Sequence, residues 1–361
     1  MDIWRTDTMD LVWWEKITNA SHFLNLIVEG VQEGCSIMLQ LPSSVPWYFT
    51  MSDILSDRIK SQNSNRALEK IQDAEMDPGE YLFQNYCKRE KRVQYRPGIG
   101  YAKFLAESDE IALNNYILWI TVDSEEQTKN WYTFIQNYDK MLGKDRRGCI
   151  FIIETRSEMT VRDHGRIRAI VYQKEIEYYD QYLFHMLAAA SLKESAIFKQ
   201  YLAEIVTLMI SDDVELSAEC IERGRTFLEN PVKTIQEIKK SELRSDGNEF
   251  VFAMSEKKIQ ERIWEAQIKI IFPVIEKKRN SLINRYRKEI EGLLPITGAY
   301  GEEVYELEEV EIGILSHLVT LGKLQVSSED AKVISKLRNA RNILAHIKIL
   351  SQREIDEIFA L

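Results

Sequence analysis

The chain has 361 residues, of which 45% are apolar and 29% are charged. This is enough length for roughly two or three domains, and enough apolar side chains to fill their cores. The formal net charge of −10 argues against a protein that holds nucleic acid through a uniformly basic surface, so any RNA contact should be local.

Cysteine spacing and the N-terminal residues indicate where the protein works. The four cysteines lie far apart and lack zinc-site spacing, which predicts a reducing compartment without disulfides. The start, MDIWRTDTMDLVWWEKI, lacks the basic region and long apolar stretch of a signal peptide. No apolar run approaches the roughly 20 residues of a membrane span. We therefore expect a cytoplasmic protein with no membrane partner.

The first half of the chain alternates strand-like runs with helical patterns. Four apolar runs rich in branched and aromatic residues predict strands: SIMLQL (36–41), YILWITV (116–122), CIFIIE (149–154) and RIRAIVY (166–172). Near-continuous apolar runs are typical of a parallel sheet covered on both faces. Residues 123–142 carry apolar side chains at helical spacing. This order predicts a three-layer α/β domain over residues 1–172.

The loop after the first predicted strand, PSSVPWY (42–48), lacks the residues of a phosphate loop. It has no glycine and no lysine, and Pro42 and Pro46 remove two amide donors. The later run CIFIIETR is an apolar strand ending in an acid, but Ile153 stands where a metal-holding Asp would precede Glu154.

In order and pattern, residues 1–172 resemble a P-loop NTPase of the STAND or AAA type without its catalytic parts. The resemblance implies an inactive ATPase-like domain, and an unrelated three-layer α/β domain is the alternative. Either way we expect no nucleotide-binding residues, no ATP hydrolysis, no metal and no cofactor. A third possibility is nucleotide binding without hydrolysis, which would need anion contacts other than the missing lysine.

The pattern becomes almost wholly helical after Tyr172. Residues 173–248 are predicted to form a lid-like helical segment, and the turn-forming SDGNE (245–249) is the best linker candidate. A second helical block covers residues 249–361. Its long helical pattern contains Pro273, which should kink or divide the helix.

The run from 326 to 359 predicts two helices of a bundle. Ser327 followed by Asp330, and Ser351 followed by Glu354, are typical helix starts. Inward-facing side chains on the second helix are predicted at residues 355, 358 and 359. The first helix should end near Lys348. Its predicted buried stripe is Val333, Leu337, Ala340, Leu344 and Ile347.

Polar side chains on this first helix form a second pattern. Arg338, Asn342 and His346 are four positions apart and lie on one face. Arg341 precedes His346 by five positions, which is about 140° around a straight helix. A site that uses both side chains therefore needs a break near His346, or two copies of the helix facing one another.

The run Arg341-Asn342-Ile343-Leu344-Ala345-His346 resembles the Arg-polar-x-x-x-His signature of HEPN domains, which are small helical bundles that often dimerise. In ribonuclease members, two signature helices meet and form one metal-independent site. The resemblance implies that Arg341 binds the scissile phosphate and His346 transfers protons. Asn342 would orient the histidine or the RNA 2′-hydroxyl. This chemistry suits the two residue types, because histidine side chains ordinarily titrate near neutral pH and arginine stabilises developing phosphate charge without titrating.

A structural interpretation of the same motif stays open. Arg341 would pair with an acid, for example in EEVYELEEVE (302–311), Asn342 would cross-link helices, and His346 would bond a carbonyl at the helix end.

Residues 231–290 are locally basic, with 14 Lys and Arg against 9 Asp and Glu. These side chains either contact RNA phosphates or form the solvated face of a helix. The RNA-binding candidates are Arg338, Lys277, Lys278, Arg279, Arg285 and Arg287.

The combined expectation is an α/β domain, a helical extension and a C-terminal HEPN-like bundle. By resemblance, this organisation implies a non-catalytic regulatory or interaction protein of a prokaryotic defence or stress-response system, with a protein partner on its α/β domain. The alternative is a metal-independent HEPN endoribonuclease that acts on RNA as a homodimer.

Overall fold

The structure is a computed structural model that describes residues 8–72, 77–107, 112–142, 147–157, 162–172, 178–298 and 301–361. The chain forms two compact units, Met1–Asp180 and Gln181–Leu361.

The first unit contains one parallel sheet and its covering helices. The strands are β1 Ser36–Gln40, β2 Ala67–Ile71, β3 Tyr116–Val122, β4 Ile150–Thr155 and β5 Ile167–Val171. The helices are α1 Met9–Leu11, α2 Thr18–Gln32, α3 Tyr48–Gln62, α4 Pro78–Tyr86, α5 Arg89–Arg92, α6 Tyr101–Glu107 and α7 Glu125–Leu142. A π-helical turn, Val12–Lys16, joins α1 to α2, and 3₁₀ turns cover Pro97–Ile99 and Ala112–Asn115.

The sheet has five strands in the order β2-β3-β4-β1-β5, and all neighbouring strands are parallel. The four predicted strands are present within one residue of their predicted ends, and the parallel α/β layer is confirmed. Strand β2 escaped prediction because its sequence, ALEKI, lies at the sheet edge and is largely exposed. An edge strand needs no continuous apolar run.

Helices cover both faces of the sheet. Helices α2 and α3 pack on one face. On the other face, α4, α6 and α7 bury a core whose centre includes Leu82, Leu105, Trp131 and Phe151. Successive strand residues alternate between these faces, so Glu154 lies on the α2/α3 side, in register with Leu39 of β1.

The second unit is helical except for a two-stranded hairpin. Its helices are α8 Tyr178–Ala188, which crosses the unit boundary, α9 Ala196–Met209, α10 Val214–Arg223, α11 Arg225–Glu229, α12 Pro231–Ser241, α13 Glu256–Arg285, α14 Arg287–Glu291, α15 Ile312–Thr320, α16 Ser328–Ala345 and α17 Gln352–Phe359. The hairpin strands are β6 Ile296–Thr297 and β7 Glu303–Val304, and 3₁₀ turns cover Ala189–Ser191 and Leu307–Glu309. Helix α13 packs against α9, α16 and α17. It continues past Pro273, so the predicted division of this helix does not occur there.

The segment SDGNE (245–249) lies inside the second unit and is anchored to it. Ser245 donates from its backbone amide and its hydroxyl to Glu215, at 2.7 Å in both cases. The neighbouring Arg244 is buried against Asp213 and Glu215. The three-part division of the chain stays a prediction.

No helix within the described ranges is both long enough and apolar enough to cross a bilayer.

Candidate functional site

Ligands of open parallel sheets bind outside the carboxyl ends of the strands. In the first unit, the ends of the neighbouring strands β1 and β4 carry the loop 41–47 and Arg156. This is the position where a nucleotide would be expected in an ATPase-like domain.

The loop after β1 directs backbone carbonyls towards donor side chains. Arg156 Nη1 donates to the carbonyls of Pro42 and Ser43, at 3.0 Å each. Trp14 Nε1 donates to the carbonyl of Pro46 at 3.0 Å. A phosphate loop works in the opposite sense, because its amides must point at the anion. The protein's own guanidinium therefore occupies this loop.

The residues around the loop also exclude a phosphate cradle. Trp47 precedes α3 with a φ of 42°, a left-handed conformation that glycine favours and a bulky side chain rarely adopts. The Arg156 guanidinium lies 5.1 Å from the centre of the Tyr48 ring, a cation–π geometry that holds both groups in place.

Glu154 is fully buried beneath this loop. Trp119 Nε1 donates to its Oε2 at 2.9 Å, and Arg156 Nη2 lies 3.9 Å from its Oε1. Burial raises the pKa of the Glu154 carboxyl, while hydrogen bonds from Tyr48 and Trp119 and the charges of Arg156 and Lys70 lower it, with burial dominating. The carboxylate thus binds protein groups, as a structural anchor does.

The Glu154→Gln substitution should remove a pH dependence of stability. A carboxyl whose folded-state pKa is raised stabilises the fold when protonated, and this contribution is lost as pH rises through the folded-state pKa. The amide cannot ionise, so the melting temperature of the variant relative to the wild type should be higher at about pH 8 than at about pH 5.

Thermal unfolding at both pH values measures this difference. Glu29→Gln, an exposed substitution on α2, is the matched control and should change nothing. An identical pH profile for Glu154→Gln and wild type would contradict the role given to the buried carboxyl.

A second site lies in the helical unit, where a cavity of about 580 Å³ gathers all four polar residues of the α16 pattern. Arg338, Arg341 and Asn342 line it from α16, and His346 lines it from the helix end. Arg338 Nη1 lies 3.4 Å from Ser316 Oγ. The structure thus brings the sequence-predicted catalytic candidates into one cavity.

The end of α16 explains how Arg341 and His346 share this cavity. The helix stops at Ala345, and His346 leaves helical geometry with φ −93° and ψ 19°. Ile347 follows with φ 57°, and the amide of Lys348 donates to the Ile343 carbonyl. This is a Schellman ending, in which a β-branched residue replaces the usual glycine.

Two details of the predicted helix are therefore wrong. It ends at Ala345, not near Lys348, because the left-handed residue terminates it. The buried stripe omits Ile347, which is 70% exposed, and includes Ile334 in place of the half-buried Val333. The predicted helix starts at Ser327 and Ser351 are present, each with its serine hydroxyl accepting a backbone amide.

Carboxylates oppose the arginines across the cavity. Arg341 Nη2 pairs with Glu311 Oε2 at 2.7 Å, and this links α16 to the start of α15. Glu302, Glu303 and Glu309 line the same cavity. Four carboxylates against two guanidinium groups give it a net negative charge, which opposes the approach of an RNA phosphate.

Two of the RNA-binding candidates on α13 hold the helical unit together. Arg279 is largely buried and donates to Glu276 and to the Val310 carbonyl, at 2.8 and 2.9 Å. Lys278 donates to the carbonyl of Leu361. Their contacts support a structural interpretation of this charge.

The remaining candidates are ion-paired or exposed. Arg285 pairs with Asp330 at 2.6 Å, and Arg287 pairs with Glu291 at 3.5 Å. Lys277 is exposed. The Arg287–Glu291 pair is exposed and contributes little to stability, and in both pairs the carboxylate reduces the charge offered to a phosphate. Their role as RNA ligands stays a prediction.

One further histidine has a catalytic-looking environment that is closed to a substrate. His185 is fully buried, with Nδ1 2.7 Å from Thr207 Oγ1 and Nε2 2.7 Å from Ser217 Oγ. Burial lowers the pKa of its imidazole to about 3. Since the serine hydroxyl also donates to the Val214 carbonyl, this is a satisfied core network.

Within the described parts of the chain, no cluster of three or more His, Cys, Asp or Glu side chains could hold a metal ion. The residue that sequence reasoning missed is Arg156, whose position over the β1 loop follows from strand pairing. The available signal was a cation two positions after Glu154, the acid of β4.

Comparisons with known proteins give little further information. No family model and no curated protein matches the chain. Among solved structures, one of C. elegans PCH-2 is similar over 64% of this chain and 73% of that one, with 10% identity and a TM-score of 0.29. A similarity this low carries no argument, so the fold and the sites rest on their own geometry.

Proposed function

We propose that this chain is a non-catalytic regulatory or interaction protein, of the kind that serves prokaryotic defence or stress responses. In this proposal, the first unit is an inactive NTPase-like domain that contacts a protein partner, and the second ends in a HEPN-like bundle. The observation that carries the proposal is Arg156, which takes the carbonyls of Pro42 and Ser43 where phosphate-binding amides would be needed.

A calorimetric titration with ATP and ADP, each with Mg²⁺, tests the first half of this proposal. We expect no binding heat and no thermal shift, because the carbonyls of Pro42, Ser43 and Pro46 accept from the protein's own side chains and would repel phosphate oxygens. Arg156→Ala serves as the control that removes the occupying guanidinium while leaving the loop backbone in place. Saturable nucleotide binding by the wild type would contradict the proposal.

A metal-independent HEPN endoribonuclease is the second candidate. It is favoured by the cavity that holds Arg338, Arg341, Asn342 and His346 together at the helix end. In this candidate function, which requires a homodimer, Arg341 binds the scissile phosphate and His346 transfers the proton. Asn342 orients the histidine or the RNA 2′-hydroxyl.

The charge of the cavity supports the non-catalytic proposal over the ribonuclease. Arg341 already holds Glu311, and three further glutamates line the cavity. An RNA phosphate would have to displace Glu311 and overcome the remaining carboxylates. We therefore place the non-catalytic proposal first.

A further inference from the structure

Residues 88–103, called the basic segment below, carry a net positive charge within an acidic chain. It contains six cations, Lys88, Arg89, Lys91, Arg92, Arg96 and Lys103, and one acid, Glu90. Most of the segment is exposed, including Lys88 and Arg89. A concentrated positive surface on a chain of net charge −10 indicates a specific anionic partner.

Backbone contacts fix two of these guanidinium groups without neutralising them. Arg92 Nε donates to the Cys87 carbonyl at 2.9 Å, and its Nη2 donates to the Gln84 carbonyl. Arg96 Nη1 donates to carbonyls within its own turn. Carbonyl acceptors carry no net charge, so the cations keep their field. Lys103 is paired, 3.8 Å from Glu107 on an exposed face.

Aromatic stacking gives the basic segment a defined shape. Tyr95 and Tyr101 stack with ring centres 4.7 Å apart and 6° between planes. Phe83 and Phe104 pack against this pair. Gly100, at φ 78°, turns the chain into α6 beside the stack. The cations are therefore presented on an ordered surface.

A groove of about 500 Å³ between α6 and α7 lies beside the basic segment and is lined by hydrogen-bonding side chains. Asn130, Thr133 and Asn137 are exposed on one face of α7, and Lys129 lies beside them. Tyr101 and Lys103 belong to the opposite wall, and Asp77 is the acid among the lining residues. Side-chain amides both donate and accept, which matches the edges of nucleobases.

We propose that the basic segment and this groove bind single-stranded nucleic acid. The cations contact the phosphates, and the α7 amides contact base edges. An acidic protein segment would use the cations but would gain nothing from Asn130 and Asn137. This site lies wholly in the first unit and is independent of the helical-unit cavity.

Fluorescence anisotropy of the full chain with a labelled 2′-O-methyl RNA of about twelve nucleotides tests the proposal, because this probe resists 2′-hydroxyl chemistry and spans a typical site. Matched probes are single-stranded DNA of the same sequence and a labelled polyglutamate. Titrations run from about 50 to about 200 mM salt. The variants are Lys88→Ala/Arg89→Ala and Asn130→Ala/Asn137→Ala, with Lys239→Ala/Lys240→Ala on α12 as the charge-matched control.

The two double variants should fail in different ways. Loss of two phosphate contacts should weaken RNA binding roughly 10- to 25-fold near 0.1 M salt and reduce the log–log salt slope by about 1.4. The amide variant should weaken binding severalfold and leave the slope unchanged, while the α12 control binds as the wild type does. If the DNA probe binds as tightly as the RNA probe, the site recognises phosphates and bases. If the DNA probe does not bind, the site recognises the sugar as well.

Three results would overturn the proposal. The first is no RNA binding by the wild type at low salt. The second is equal RNA binding by both double variants and the α12 control. The third is polyglutamate binding that needs Lys88 and Arg89, together with full RNA affinity in the amide variant. The last result would assign the surface to an acidic protein partner.

Discussion

Replacement of Arg244 by alanine should lower the free energy of unfolding by about 3–5 kcal/mol, because it leaves buried carboxylates without their cation. The Arg244 side chain is 5% exposed and lies 2.5 Å from Asp213 and 3.4 Å from Glu215. Asp213 also caps α10, and Glu215 holds Ser245.

Urea unfolding followed by circular dichroism measures this loss. Arg223→Ala is the matched control, since Arg223 pairs with Glu242 and Glu219 on an exposed face, and its loss should cost less than about 1 kcal/mol. Equal effects of the two substitutions would contradict the account of residues 245–249 as an anchored part of the helical unit.

Replacement of Leu344 by alanine should cost about 2–5 kcal/mol, whereas His346→Ala should cost less than about 0.5 kcal/mol. Leu344 is fully buried, and its carbonyl accepts from Trp264 Nε1 at 2.9 Å. His346 is exposed after the end of the helix. The two positions therefore separate the packing of α16 from the chemistry of its end.

The same unfolding assay compares both variants with Leu344→Met, which keeps most of the volume and should cost less than about 1.5 kcal/mol. A large loss of stability in His346→Ala would identify the histidine as part of the packing. It would remove the distinction on which the active-site interpretation of this helix end depends.

Sequence pattern predicted the elements whose burial is uniform. The runs at β1, β3 and β4 are buried on both sheet faces, and the apolar pattern reports such burial directly. Strand β5 lies at an edge with mixed burial, and its branched apolar residues were enough to predict it. Strand β2 carries Glu69 and Lys70 at the sheet edge, where strand pairing rather than burial fixes it. Residues 123–142 contain α7, which begins at Glu125.

At the two candidate sites, the sequence pattern predicts the residues of a motif but not the tertiary contacts they make. The motif at 341–346 and a partner acid in 302–311 could both be read from sequence, but the choice of Glu311 depends on how α15 packs on α16. The break after Ala345 was not readable, because Ile347 is a residue that seldom adopts a left-handed conformation. Arg156 reaches Pro42 and Ser43 only through the pairing of β1 with β4.

The most direct test of the central claim is RNA cleavage by the purified wild type in EDTA, beside Arg341→Ala and His346→Ala, with each fold checked by circular dichroism. We expect no EDTA-resistant cutting by the wild type, and a small fall in the melting temperature of Arg341→Ala because its pair with Glu311 is lost. EDTA-resistant cutting that disappears in both folded variants would contradict the central claim and make the end of α16 a ribonuclease active site.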